Sequence, residues 1–142
     1  MARRFTKEFK GGFIYALQEY FNIVMPIAIY IALEAIHKNS WLYVLDSPEW
    51  SIATIFLAYI SIGRYRIAIE RSGRKIFEPI FGIMALVSLL LILASVINAY
   101  VSIEHESSQT TSLIITRIFL GLFSSIQFFI LITAVRTLKK QS

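Results

Sequence analysis

The chain has 142 residues, of which 56% are hydrophobic and 16% charged, whereas a soluble domain typically holds about 45–50% apolar residues. It contains no cysteine, which excludes disulfides, thiolate metal sites and a cysteine nucleophile. The net charge of +5 does not indicate nucleic-acid binding, because the basic residues cluster at the ends of apolar blocks, where they orient helices beside an anionic membrane surface.

The hydrophobic residues are concentrated in four blocks, each close to or above the roughly 20 residues that a helix needs to cross a bilayer. The blocks cover about residues 13–36, 50–69, 80–103 and 113–135. Strand-like alternation is absent, and the short segments between the blocks force neighbouring helices to run antiparallel. We therefore predict an all-α polytopic membrane protein, an antiparallel four-helix transmembrane bundle that forms a single domain over residues 1–142.

The first block is the most polar of the four. At 3.6 residues per turn its polar residues fall within about 160° of one another, opposite an apolar face. These residues are Tyr15, Gln18, Glu19, Asn22, Pro26, Tyr30 and Glu34. We expect the apolar face to contact lipid and the polar face to contact neighbouring helices or a wet cavity, because an ionisable group in hydrocarbon costs about 2.5–3.5 kcal/mol. The block is too long for a cleaved signal peptide and ends without a small-x-small cleavage site.

The other three blocks each carry a face of small or polar residues. These faces are Ser51, Thr54, Ala58 and Ser61 in the second, Ser88, Ser95, Asn98 and Ser102 in the third, and Arg117, Gly121, Ser124 and Ser125 in the fourth. Gly121 and Ser125 form a small-xxx-small step that permits close approach of two backbones. Such faces are typical of a tightly packed membrane bundle.

Basic residues mark one side of the membrane. They precede the first block (Arg3, Arg4, Lys7, Lys10), surround the second loop (Arg64, Arg66, Arg71, Arg74, Lys75) and follow the fourth block (Arg136, Lys139, Lys140). The first loop has Lys38 against Asp46 and Glu49, and the third has two glutamates and no Lys or Arg. By the positive-inside rule both termini and the second loop are cytoplasmic. We expect a multi-pass protein of the cytoplasmic (inner) membrane with a basic cytoplasmic face.

Similar depths in the membrane predict two ion pairs. Glu34 and Arg117 lie near the outer ends of the first and fourth blocks, and Glu19 and Arg64 near the inner ends of the first and second. For the carboxylates and Asn22, two interpretations stay open, a pore or proton-coupled site and interhelical hydrogen bonding. The candidate pore or interface residues are Gln18, Glu19, Asn22, Glu34, Arg117, Gly121 and Ser125.

No catalytic or cofactor motif is found. The chain has no GxSxG, no HExxH and no phosphate-cradling glycine loop, so we expect neither an enzyme nor a cofactor. Arg64 and Arg66 lack the every-third-residue repeat of a voltage sensor and are expected to extend to the inner interface. Glu104, His105 and Glu106 are adjacent on a loop, with no further cluster to complete a metal site, so we expect no metal.

The size of the chain, its four spans, its inside termini and the basic rim from Arg64 to Lys75 resemble the small four-helix membrane subunits of bacterial antiviral defence systems of the Kiwa type. The resemblance covers the whole chain at the level of architecture and carries over no functional residues. It implies an oligomer that works with a cytoplasmic protein partner and alters or monitors the membrane during infection.

Three classes of function remain from the sequence. We rank first a homo-oligomeric membrane subunit that forms a channel or perturbs or senses the membrane, with a cytoplasmic partner. Second is a small proton-coupled transporter acting as a dimer, although the two halves show no internal repeat. Third is a non-conducting membrane anchor or assembly protein.

Overall fold

The protein, seen in a computed structural model, is described over residues 2–72, 78–104 and 111–139. It consists of helices, and no strand occurs in these ranges. The helices are α1 (Ala2–His37), α2 (Tyr43–Asp46), α3 (Glu49–Ser72), α4 (Glu78–Glu104) and α5 (Thr111–Lys139).

Four of these helices are long and apolar enough to cross a membrane, which confirms the predicted fold class. Such apolar segments are expected to form helices in lipid, because every backbone N–H and C=O must be hydrogen-bonded within the segment. The observed helices extend beyond the predicted blocks at both ends. The largest extension is in α1, which continues as one helix from Ala2 through Pro26 to His37 and so includes the basic segment before Lys10.

The link between α1 and α3 is folded rather than open. Asn39 takes a left-handed conformation with φ of 53°, while the N–H groups of Asn39 and Ser40 donate to the carbonyls of Ile36 and Ala35. This is the Schellman arrangement that ends helices, with Asn replacing the more common Gly. The short helix α2 follows, and its Val44 carbonyl accepts a 2.6 Å hydrogen bond from the indole nitrogen of Trp50 at the start of α3.

The packing defines two ends of the bundle. The end at which α1 and α4 begin and α3 and α5 finish is called the basic end below, and the opposite end, which carries α2, is called the α2 end. Helix α3 is central, with its most extensive contacts to α5 and then to α4, while α1 packs mainly on α5. Near the basic end, an apolar cluster of α3 and α5 fills the interior, comprising Tyr65, Ala68, Ile69, Leu131 and Val135.

Helix α1 turns its apolar side inward within this single chain. Ile31 is buried, Ile23 and Val24 are half-buried, and Ala16 joins a second cluster with Leu57 of α3 and two residues of α5, Phe128 and Ile132. This differs from the expected orientation, in which the apolar face contacted lipid. The reason is that small residues of α1, above all Ala16, lie on the apolar side and let the helix approach α5 closely.

Candidate functional site

Arg117 is the most unusual side chain of the protein. It is only 3% exposed, although it lies in a span of α5. Its Nε donates to Asn98 Oδ1 at 3.1 Å, one Nη donates to Ser102 Oγ at 2.5 Å and the other donates to the backbone carbonyl of Asp46 at 2.5 Å. Its hydrogen-bond acceptors are an amide oxygen, a hydroxyl and a backbone carbonyl, and the carboxylates of Asp46 and Glu49 act on it electrostatically.

Asn98 is the centre of this arrangement. Its Oδ1 also accepts from Ser51 of α3 at 3.2 Å, and its Nδ2 donates to the carbonyl of Leu113 in α5 at 3.1 Å. The Ser102 hydroxyl donates back to the Asn98 carbonyl at 2.7 Å. We call this group the Arg117 network: Arg117, Asn98, Ser102, Ser51 and the carbonyls of Asp46 and Leu113. It ties α3, α4, α5 and the residue that ends α2 together at the α2 end.

The expected pairing of Glu34 with Arg117 does not form. Both residues are near the α2 end, as expected from their depth, but the guanidinium of Arg117 bonds to Asn98 and Ser102 of α4 and to the Asp46 carbonyl. Glu34 lies on α1, which contacts α2, and its carboxylate interacts electrostatically with Tyr30 of the same helix. Depth in the membrane determines the level of a side chain but not which helix it contacts. Arg117 contacts α4 and not α1.

The structure brings the other expected pair together. Arg64 Nη1 lies 2.9 Å from Glu19 Oε2, with the two side chains 40% and 20% exposed. The same Nη1 donates to the Tyr15 hydroxyl at 3.2 Å. Two members of the predicted polar stripe of α1, Tyr15 and Glu19, are therefore turned toward α3 near the basic end.

Four of the other five members of the polar stripe face outward, and the fifth, Glu34, is half-buried. Gln18, Asn22 and Pro26 are exposed, as is Tyr30. Asn22 lies 12 residues beyond Lys10, where the span of α1 begins, or about 18 Å along the helix axis. That depth is near the middle of a hydrocarbon layer of about 30 Å. The single chain thus presents two amides to its surroundings at the depth of the lipid tails.

Gly121 and Ser125 lie where α5 meets α3 and α1. A Cβ added at Gly121 would lie 3.8 Å from Thr54 Oγ1 of α3, and the neighbouring Ser124 donates to the Thr54 carbonyl at 2.9 Å. Ser125 Oγ is 3.1 Å from the hydroxyl of Tyr20 in α1. These two predicted interface residues therefore mediate contacts within the chain.

Between α1, α3 and α5, near the α2 end, lies a half-open cavity of about 270 Å³. Most of its wall is apolar. Tyr20 and Val24 of α1 line one side and Ile118 and Leu122 of α5 another, while Arg117 is the charged residue in the wall. The sequence patterns indicated no such cavity.

The sequence pattern did not predict a second buried polar contact. Gln127 of α5 donates to Ser88 Oγ at 2.5 Å and to the Met84 carbonyl of α4 at 3.2 Å. Its Oε1 and the Ser95 hydroxyl are buried without a hydrogen-bond partner among the described residues. The available signal was Gln127 itself, the one amide in the fourth block.

The basic end agrees in part with the predicted basic face. Lys10, Arg66 and Arg71 are exposed there. The side chains of Arg3, Arg4 and Lys7, the residues Arg74 and Lys75, and the loop residues His105 and Glu106 lie outside the described part of the chain. In the described ranges, no group of three or more acidic or histidine side chains is arranged to hold a metal ion.

No protein-family model, curated protein or solved structure matches this chain. The four long apolar helices are those of a small multi-pass membrane protein.

Proposed function

We propose that the chain is a subunit of a homo-oligomer in the cytoplasmic membrane, in which the α1 helices of several copies meet and line a shared conducting path. One observation carries the proposal. Gln18 and Asn22 are exposed on the outer surface of a span, where lipid offers no hydrogen-bond partner.

The free-energy cost of that exposure supports assembly. An amide moved from water to an apolar environment without a partner costs about 2–7 kcal/mol, and two amides stand one helical turn apart on α1. Contact between copies would let Gln18 and Asn22 bond to each other, as polar side chains do across membrane helices. A water-filled centre would solvate them equally well.

The path is proposed between copies because the interior of one copy is filled. The apolar cluster of Tyr65, Ile69 and Leu131 occupies the space between α3 and α5 near the basic end. In the described part of one copy, these side chains block the centre of the bundle at that level. The outward face of α1 is the polar surface that several copies can share.

Assembly through α1 is tested by cysteine crosslinking in liposomes, which the cysteine-free sequence makes simple. Met25→Cys places a thiol on the exposed face of α1 close to Asn22 and leaves both amides intact, and Ile97→Cys places one on the exposed surface of α4. We expect disulfide-linked dimers from Met25→Cys and few from Ile97→Cys. Equal crosslinking of the two variants would contradict the proposed interface.

Conduction is tested by ion flux from liposomes that contain the purified protein. We expect Gln18→Leu and Asn22→Leu to reduce the leak at least tenfold, whereas Phe21→Leu, an exposed apolar neighbour, retains it. Solute uptake that requires a pH gradient would instead support the transporter. Absence of both activities would leave the membrane anchor.

The proton-coupled transporter is kept as second candidate because of one contact. Glu19 is a mostly buried carboxylate held by Arg64, beside a second cavity of about 350 Å³ lined by Tyr15, Arg64 and Arg71 at the basic end. A carboxylate in such a place can exchange a proton for a bond to its arginine. If the transporter is correct, Glu19→Gln abolishes pH-driven uptake. If the channel is correct, the same variant leaves the ion leak unchanged.

A cytoplasmic partner and a role in antiviral defence complete the proposal. The exposed Lys10, Arg66 and Arg71 form a cationic surface that suits an acidic patch on a soluble protein. Phage challenge of cells that express the chain, with Asn22→Leu as the comparison, tests the defence role. Equal plaque counts for expressing and empty cells would remove it.

A further inference from the structure

The cavity beside Arg117 combines an apolar wall with a buried cation, and this pairing points to a ligand. We propose that it binds a single-chain amphiphilic acid, a lipid-soluble molecule with a carboxylate head on Arg117 and its hydrocarbon chain between α1 and α5. The site lies on the side of α1 that carries Tyr20 and Val24, away from Gln18 and Asn22. It is therefore independent of the proposed assembly surface.

Arg117 retains donors for such a head group. A guanidinium has five N–H donors, and three of them are used by Asn98, Ser102 and the Asp46 carbonyl. One N–H on each Nη is left without an acceptor among the described residues. Arginine pairs with a carboxylate through two N–H donors, so the number of unused donors suffices for such a head group.

Charge complementarity favours an anion over a neutral molecule. Arg117 is 3% exposed and its three hydrogen-bond acceptors are neutral, while the carboxylates of Asp46 and Glu49 act on it electrostatically without accepting a bond from it. A buried charge without an ionic partner is costly, and an opposite charge brought into the same apolar surroundings gains the full interaction. The ligand carboxylate would place a negative charge in direct contact with the guanidinium.

The position of the cavity matches the orientation of an amphiphile in a membrane. Arg117 lies near the α2 end, six residues into α5, while Ser125 and Tyr20 close the deeper end of the cavity. The eight residues from Arg117 to Ser125 span about 12 Å along the helix. A head group at Arg117 thus lies toward the membrane surface and the chain extends toward the middle of the bilayer.

The volume selects a small amphiphile. About 270 Å³ lies at the lower end of the roughly 300–1,000 Å³ typical of small-molecule sites. A single hydrocarbon chain with a two-oxygen head fits this volume. A phospholipid, with two chains and a bulky head, exceeds it.

Tryptophan fluorescence provides a direct test, because Trp50 lines the cavity and Trp41 is the second of two tryptophans. In the Trp41→Phe protein in phosphatidylcholine nanodiscs, Trp50 reports alone. The probe is 2-bromododecanoate, whose bromine quenches a nearby indole and sits beside the carboxylate. We expect saturable quenching that dodecanoate reverses, with dodecanol at least tenfold weaker because it lacks the charge.

Two leucine variants give the matched comparison. Gly121→Leu places its side chain in the cavity, since a Cβ there is in ordinary contact with Thr54, whereas Gly82→Leu on α4 meets open space. We expect Gly121→Leu to abolish the quenching and Gly82→Leu to retain it.

Three outcomes of the quenching experiments would overturn the proposal. They are quenching that never saturates, equal competition by dodecanol, and equal quenching in the two leucine variants. A phospholipid that copurifies with the protein and blocks the probe would also overturn it. The comparison of acid and alcohol needs no variant in the cavity, so a failure of Gly121→Leu to fold leaves the test intact.

Discussion

At the scale of single residues, Arg117 and Asn98 show how a charge is held in an apolar span. A buried guanidinium loses its hydration, which costs several kcal/mol even after relaxation. The Arg117 network offsets this with three hydrogen bonds, and charge-assisted bonds are about twice as strong as neutral ones. Asn98 matters most among the acceptors because it serves Arg117, Ser51 and the Leu113 carbonyl together.

We therefore expect Asn98→Ala to lower the free energy of unfolding by about 1–3 kcal/mol, since it leaves Arg117 with one acceptor fewer in a buried site. Unfolding in mixed detergent and SDS micelles measures the change. Ile97→Ala, on the exposed surface of α4, is the control and should cost less. Equal losses for the two variants would show that the network contributes little to stability.

The Glu19–Arg64 contact predicts a measurable coupling. We expect a double-mutant cycle with Glu19→Gln and Arg64→Gln to give about 1 kcal/mol, because the pair links two helices and is partly shielded from water. Arg66 and Glu70 supply the control, an ion pair at 2.8 Å whose side chains are 67% and 61% exposed on the surface of α3. Its coupling should be about 0.3–0.5 kcal/mol. A larger value for the control would refute the predicted order.

At the scale of helices, α1 approaches α5 through small residues. A Cβ added at Gly12 would lie 3.0 Å from Thr133 Cγ2 and 3.7 Å from the Thr133 backbone, so the two helices touch there. Beyond this point the ring of Tyr20 stacks on Phe129 at 5.2 Å. Farther toward the α2 end, the same two helices border the cavity, so their contact is concentrated in the half near the basic end.

Alanine substitution of glycines tests this close approach. Gly63→Ala and Gly82→Ala, where an added Cβ meets nothing within 4 Å, should raise the free energy of unfolding by about 0.5–1 kcal/mol, because alanine stabilises a helix relative to glycine. Gly12→Ala should give no gain, since its Cβ presses on Thr133. Denaturant titration of the three variants measures the difference. A gain at Gly12 as large as that at Gly82 would show that α1 and α5 are loosely joined.

At the scale of the whole molecule, the distribution of charges predicts the orientation in the membrane. The structure places Lys10, Arg66 and Arg71 at one end and the acidic Asp46 and Glu49 at the other. Positive residues are retained on the cytoplasmic side during insertion. We therefore keep the prediction that the basic end faces the cytoplasm.

Single cysteines in the cysteine-free chain test that orientation. Leu42→Cys is at an exposed site at the α2 end. Glu70→Cys is at an exposed site near the basic end, and it removes none of the arginines that are expected to set the orientation. In intact cells, a membrane-impermeant maleimide should label Leu42→Cys and spare Glu70→Cys until the cells are opened. The reverse pattern would invert the predicted topology.

The fold was largely predictable from sequence and the site only in part, for a physical reason. Block length and apolar character predict membrane helices because lipid leaves the backbone few alternatives. Depth alone correctly matched Glu19 with Arg64, as α1 and α3 are neighbours near the basic end. The same reasoning failed for Arg117, because depth does not say that α5 faces α4 there. Likewise, helical periodicity separates the two faces of α1 but does not show which face packs against the bundle. The structure shows that it is the face with Ala16.

The unbroken course of α1 has a mechanical consequence. Its 36 residues measure about 54 Å, against about 30 Å of hydrocarbon, so its first two turns project beyond the bilayer as a stiff extension of the same rod. Because the helix is continuous, a force on the projecting arm would be transmitted directly to the part of α1 that carries Asn22 on one side and Tyr20, which lines the cavity, on the other.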